Sequence, residues 1–205
     1  MKSIILFGKG PSVSKCTKEI VDQYDDIAIC NYPLLNDFFY NLIANREIKY
    51  HFANCADPDG RHNNNVVEKL KIKNIINTNT TNNYIKIIKN KDLFIDSIHY
   101  EYNEYFKENF DLNPSTGIKG LQYIINTNEY NKILLVGIDN FKKGEQTYYF
   151  DINNINPSLK KYIGKAYTKD GIYKQTSGHD PDKTEIYLNS LKTSYPDIEI
   201  KNINN

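Results

Sequence analysis

The chain has 205 residues, 40% of them hydrophobic and 25% charged, with a formal net charge of +1. That length suits one domain with a sizeable core, and so small a net charge leaves no global field to recruit nucleic acid. Three cysteines, Cys16, Cys30 and Cys55, lack metal-type spacing and are odd in number, which excludes a complete disulfide framework and makes a reducing, cytoplasmic setting the expectation.

The chain opens with "KSIILFG", a continuous apolar run that stops at Gly8 and predicts a strand buried on both faces. "MKSIILF" is too short for the apolar region of a signal peptide, and no later run approaches the ~18 residues of a membrane span. "SVSKCTKEIVDQY" (12–24) predicts a helix capped by Ser12 or Ser14, with Val13, Cys16, Ile20 and Val21 roughly on one face. "DIAICN" (26–31) is a second buried strand and completes a βαβ unit. "EIKYHFAN" (47–54) reads as a third strand, "NNVVEKLKI" (64–72) as a short helix and "NIINTN" (74–79) as a fourth strand. "LFIDSIHYEYNEYF" (93–106) reads as a strand followed by a helix. A Pro-Ser-Thr turn then feeds an apolar-faced helix in "NPSTGIKGLQYIINT" (113–127), and "KILLVGID" (132–139) is the clearest strand of all. Residues 140–180, rich in Gly, Asn, Lys and Tyr, have no strong period and predict a long lid-like loop. "KTEIYLNSLKTSY" (183–195) is an amphipathic helix with Ile186, Leu188 and Leu191 inward, and "DIEIKNI" (197–203) is a final strand.

Strands alternating with helices predict a single α/β domain over 1–205, Rossmann-like, with a mainly parallel sheet flanked by helices. Ligands of such sheets sit outside the carboxyl ends of the strands. Those ends carry Gly8–Ser12, Asn31, Asn54 and Gly137–Asp139.

Five short constellations carry chemistry. "GKGPS" (Gly8, Lys9, Gly10, Pro11, Ser12) lets the backbone approach an anion, or forms a tight turn with no ligand. It lacks the third glycine of a dinucleotide fingerprint and the Gly-Lys-Ser/Thr of a phosphate-binding P-loop. "CNYP" puts Asn31 at a strand end, as a neutral partner for a ribose or phosphate or as an ordinary loop residue; Asn is abundant here, and the mean hydropathy is −0.62. "NPSTG" places Ser115, Thr116 and Gly117 at a helix start, where they cap the helix and can also face an anion. "SGHDPDKTE" holds His179 in a turn before a helix that carries Glu185; a turn histidine suits general-base work, with Glu185, Asp180 or Asp182 to orient it, or is simply exposed. His51, inside a strand, reads as structural, and His62 and His99 have weaker contexts. "QTYYFD" (146–151) supplies Tyr148 and Tyr149, whose hydroxyls bind phosphate without a metal or pack as aromatics. No HExxH, Cys/His cluster or Asp-x-Asp pair points to a divalent metal.

In this order, "GKGPS", "CNYP", "PSTG", "ILLVGID" with "YYFD", and a late His before a helix with a Glu resemble the single-domain bacterial lipooligosaccharide sialyltransferases and, more distantly, the animal Golgi sialyltransferases. The resemblance implies one glycosyltransferase domain over 1–205, a CMP-activated sialic or related nonulosonic acid as donor, a glycan or glycolipid acceptor, and no cofactor or metal. It implies that Gly8, Lys9, Gly10, Pro11, Ser12 and Asn31 hold the CMP phosphate and ribose, with Asn54 near the donor. Ser115, Thr116 and Gly117 would contact the donor sugar or its carboxylate, and Asp139 the nucleoside. Tyr148 would donate to the leaving phosphate, and His179 would be the base. Members often form homo-oligomers, and some attach to membranes through a basic, apolar tail that this sequence lacks, so the acceptor could equally be soluble. Lys9 stands where bacterial members usually carry Asn, Asn113 where an Arg often precedes the Ser/Thr turn, and Phe141 near an expected second phosphate-binding Tyr. The alternatives are transfer of another CMP-linked acid such as Kdo, or a nucleotide-sugar-binding protein of the same fold with impaired chemistry. A dinucleotide enzyme is disfavoured by the missing third glycine and by Asn31, where an acidic residue would be needed.

Overall fold

Alternation along β1 (Lys2–Phe7) divides the core into two layers: Ile5 and Phe7 pack into one, Ile4 and Leu6 into the other, and all four are buried. A strand covered on both faces has no polar side to show water, which is why its sequence is an unbroken apolar run. The computed structural model describes residues 1–31, 37–54, 64–79, 88–140 and 180–204.

Six further strands join β1: β2 (Asp26–Cys30), β3 (Ile48–Ala53), β4 (Ile72–Asn77), β5 (Phe94–Ser97), β6 (Tyr130–Val136) and β7 (Glu199–Asn202). They form one seven-stranded sheet in the order β5-β4-β3-β2-β1-β6-β7, and every pairing is parallel. The chain builds outward from β1 to β5, returns to place β6 on the other side of β1, and ends with β7. The direction of winding therefore reverses between β1 and β6, the position at whose carboxyl ends sheets of this kind bind their ligands. The expected Rossmann-like α/β architecture is the observed one.

Three short helices cover the Ile5/Phe7 face: α1 (Lys18–Val21), α2 (Asp37–Ile43) and α3 (Asn64–Lys69). The opposite face carries α4 (His99–Phe110), α5 (Thr116–Asn126) and α6 (Pro181–Ser194). In α5 the buried set Ile118, Leu121, Ile124 and Ile125 recurs at three- and four-residue spacing and lies over the centre of the sheet.

Two sequence expectations change, and one helix is new. The helix expected over 12–24 is two pieces, a 3-10 turn at Pro11–Lys15 and α1, separated by the extended residues Cys16 and Thr17. Ser14 Oγ donates to Pro11 O at 2.8 Å, a local bond that favours a tight turn over a continuing helix, and the three-residue repeat still buries Val13 and Cys16 together. In α6 the inward strip is Tyr187 and Leu191, flanked by a partly buried Leu188, while Ile186 is 62% exposed. Helix α2 had no assignment from sequence; Phe39, Leu42 and Ile43 bury it against β1, with the rings of Phe39 and Phe7 edge to face at 5.5 Å. The loop expected around 140–180 lies, apart from its two end residues, outside the described residues.

Tyr187 anchors α6. It is fully buried, edge to face with Phe106 at 4.8 Å and Phe110 at 5.3 Å, and its hydroxyl donates to Gln122 Oε1 at 3.0 Å. Urea denaturation of Tyr187→Ala should show a loss of about 3–5 kcal/mol, the range for emptying a large aromatic site. Tyr187→Phe, which removes only the hydroxyl bond, should lose about 1 kcal/mol.

Candidate functional site

The site begins where the loops after β1 and β6 meet. Gly10 N–H donates to Gly137 O at 2.8 Å, and Gly137 N–H donates to Ser12 Oγ at 2.8 Å. Ser12 N–H donates to Asp139 Oδ2 at 2.9 Å, and the other carboxylate oxygen accepts from Asn204 Nδ2 at 2.8 Å. The loops approach so closely that a β-carbon on Gly8 would lie 2.2 Å from Gly137 O, and one on Gly10 would lie 2.3 Å from Asp139 Oδ2. Gly137 has φ +68°, a left-handed conformation that glycine adopts at least cost. Both glycines of "GKGPS" are thus accounted for by this crossing. Ser12 is buried, with its amide and its hydroxyl oxygen engaged in the turn itself. Pro11 opens the 3-10 turn, and Lys9 is half-buried between the two buried glycines. Burial pushes the Cys30 thiol at the end of β2 up to about 12, against the opposing pull of the Lys9 charge.

Asn31 comes next along that edge. Its φ of 54° turns the chain sharply at the end of β2 and frees the side chain to reach both neighbours. Asn31 Oδ1 accepts from Asn54 N–H at 2.8 Å, and Asn31 Nδ2 lies 3.5 Å from Thr116 Oγ1. Asn54 Oδ1 in turn accepts from Asn79 Nδ2, and Asn77 Oδ1 from Asn79 N–H at 3.0 Å. The result is a run of carboxamides along the carboxyl ends of β2, β3 and β4. Ser115 caps α5, its Oγ accepting from Ile118 N–H at 3.3 Å, and Gly117 packs against Ile138. The structure thus brings Asn31, Asn54, Thr116 and their neighbours Ser115 and Gly117 to one edge. Gly8–Ser12 and Asp139 sit at its switch-point end.

Asn77 and Asn79 belong to this edge and were not singled out from sequence. The signal was present: Asn ends or directly follows three successive apolar strands, at Asn31, Asn54 and Asn77. Lys119 had no comparable signal. It lies on α5 one turn beyond Ser115 and Thr116, is only 5% exposed, and its ammonium donates to Thr78 O at 3.1 Å. Burial pulls its pKa down from the ordinary 10.5 to about 8. His99 Nδ1 lies 3.2 Å from the same Thr78 carbonyl, so that ring nitrogen carries the proton of the contact.

At the other end, α6 starts beside β6. Asn140 Nδ2 donates to Pro181 O at 2.6 Å, and Asp180 caps the helix through Oδ1, which accepts from Asp182 N–H at 3.0 Å and Lys183 N–H at 3.1 Å. That cap occupies one oxygen of a carboxylate considered as a partner for His179, while Glu185 is exposed. A cavity of about 370 Å³ lies between α6, β6 and β7 and includes Asp139, Asn140 and Glu185 in its lining, but none of the other expected donor-binding residues. His179 and Tyr148, with Tyr149 and Phe141, lie outside the described residues. Among the described residues no group of acidic, His or Cys side chains could hold a metal ion, and no helix is long and apolar enough to cross a membrane.

Two outcomes follow from the geometry. Asp139→Ala should lower stability by about 2 kcal/mol with no ligand present, since a charged acceptor of two hydrogen bonds is lost; thermal melts of the free protein check this. Lys119→Met should instead raise the melting temperature at pH 7. A protonated Lys119 costs folding up to about 3 kcal/mol, from its lowered value of about 8, at pH values where both folded and unfolded chains hold the proton. Between about pH 8 and the unfolded value near 10.4 the unfolded chain binds more protons, so wild-type stability rises with pH there. The advantage of the variant should therefore shrink across that window, as melts from pH 7 to about 10.4 would show.

The chain matches no family model and no curated protein sequence. Among solved structures it is similar to the sialyltransferase CstII from Campylobacter jejuni, whose structure is described as a complex with a substrate analogue, cytidine-5'-monophosphate. The two superpose with a TM-score of 0.58 and 16% sequence identity, over 99% of this chain and 80% of that one. At that identity the likeness establishes a shared fold.

Proposed function

We propose that this chain is an inverting, metal-independent glycosyltransferase that moves sialic acid, or a related nonulosonic acid, from a CMP-sugar donor to a glycan acceptor hydroxyl. The observation that carries this reading is the cluster at the carboxyl edge: Asn31, in a left-handed turn beside the switch point, contacts both the Asn54 backbone and Thr116. Two separate short motifs, "CNYP" and "PSTG", each weak alone, meet there, in a fold shared with a sialyltransferase solved with CMP.

The chemistry asked of such a site is modest. CMP leaves with a single bridging phosphate, so fixed amide and hydroxyl donors can stabilise the developing charge. Gly8, Gly10 and Pro11 would shape the turn around the phosphate, Lys9 would add a positive charge and Asn31 would take the ribose. Asp139 would act on the nucleoside side by holding the turn in place, since both its oxygens already serve that purpose. Ser115, Thr116 and Gly117 would meet the sugar. The acceptor oxygen would attack the anomeric carbon and give its proton to His179. The bond to the phosphate oxygen would break from the opposite face, with its electron pair leaving on CMP and Tyr148 donating a hydrogen bond to it. One displacement inverts the centre.

A thermal-shift panel with CMP, CMP-sialic acid, UDP, GDP and NAD tests the donor. A ligand that binds only the folded state raises the midpoint. CMP compounds alone should do so, unchanged by EDTA; a shift with UDP or NAD and none with CMP would sink the proposal. His179→Ala should keep CMP binding and lose about 10²–10⁴-fold in transfer rate. Retained turnover would remove His179 from the base role.

A further inference from the structure

Lys119 has a charge that no described residue balances. Its ammonium is buried between α5 and the end of β4, donates one hydrogen bond, to Thr78 O at 3.1 Å, and has no acidic partner among the described residues. An ammonium has three donors, and removing it from water without a counter-ion is costly. Beside it, Thr78 is 3% exposed and its hydroxyl has no hydrogen-bond partner. Thr78 N–H extends the β4 ladder to Ala53 O at 2.9 Å, so the strand alternation that turns Ile76 toward α4 and α5 turns the Thr78 side chain the same way. His99 reaches the same carbonyl from the start of α4, and Asn103 Nδ2 lies 3.1 Å from His99 Nε2. A buried cation, an unused hydroxyl and a helix amino terminus one turn away all favour an anion.

We propose that Lys119 and Thr78, with His99 beside them, form the subsite for the carboxylate of an acidic sugar. The chemical class rests on the CMP-sugar reading above; the charge balance does not. A carboxylate offers two acceptor oxygens, one for the Lys119 ammonium and one for the Thr78 hydroxyl. Position fits as well: Lys119 follows Ser115 and Thr116 on α5, and Thr78 precedes Asn79, whose side chain binds Asn54. The carboxylate would come either from the donor or from an acceptor that already ends in an acidic sugar.

Calorimetric titration of the full chain and of Lys119→Met distinguishes these sources. The probes are CMP, CMP-sialic acid, lactose and sialyllactose. For a donor carboxylate, the preference of wild type for CMP-sialic acid over CMP should fall at least about tenfold in the variant, the loss expected for a charge-assisted bond. For an acceptor carboxylate, the preference for sialyllactose over lactose should fall by that factor instead. Thr78→Val, of nearly equal shape, should reduce the same preference about threefold. Both preferences unchanged in Lys119→Met would overturn the proposal, as would a wild type that prefers neither carboxylate probe. A wild type that ignores CMP but loses its preference for sialyllactose with Lys119→Met would reject the CMP reading and keep the subsite.

Discussion

Two loops at the centre of the sheet lie so close that no side chain fits between them. Gly8 and Gly137 face each other across the β1–β6 boundary, and the Asp139 carboxylate clasps the Ser12 amide on one side and Asn204 on the other. The constraint is topological in origin. β1 and β6 are neighbours in the sheet but belong to opposite windings, so the chain leaves them in opposite directions and both turns must share one small space. Glycine is needed for the approach, and a carboxylate for the amides exposed by so tight a turn. The carboxyl edge that runs on through Asn31 begins at that crossing.

The edge itself is mostly neutral. Asn31, Asn54, Asn77 and Asn79 link three strands through carboxamides, a group that can both donate and accept. Neutral carboxamides of this kind can pair with hydroxyls or phosphate oxygens by geometry, with little pull from net charge. Against it, Lys9 at one end and Lys119 beneath the other stand out. One is half-exposed beside the turn and the other is buried at a cost to stability. On the proposed reading, cations placed sparingly among neutral partners would suit a ligand with separated negative groups, a phosphate at one end and a carboxylate at the other.

The strands were legible because burial on both faces leaves unbroken apolar runs, as in "IILF" and "ILLV", and their ends were legible from Gly8, Asn31 and Asn54. Other features were not. In α6 three consecutive apolar or aromatic residues, Ile186, Tyr187 and Leu188, compete for the inward face, and the ring of Tyr187 wins because its hydroxyl finds Gln122. The partner of Asp139 lies 127 positions away at Ser12, and no local pattern carries such a pairing. Lys119 looks like an ordinary helix lysine; only its reach to Thr78 shows that it is buried. The break at Cys16–Thr17 hides because the 3-10 and α repeats both bring Val13 and Cys16 to one side.

The most direct measurement is a crystal structure of the protein grown with CMP. If the switch point is a cytidylate site, the phosphate should lie against the Gly8–Ser12 turn, with the ribose within hydrogen-bonding distance of Asn31. A nucleotide bound instead in the cavity between α6 and β7, or no nucleotide at saturating concentration, would contradict it.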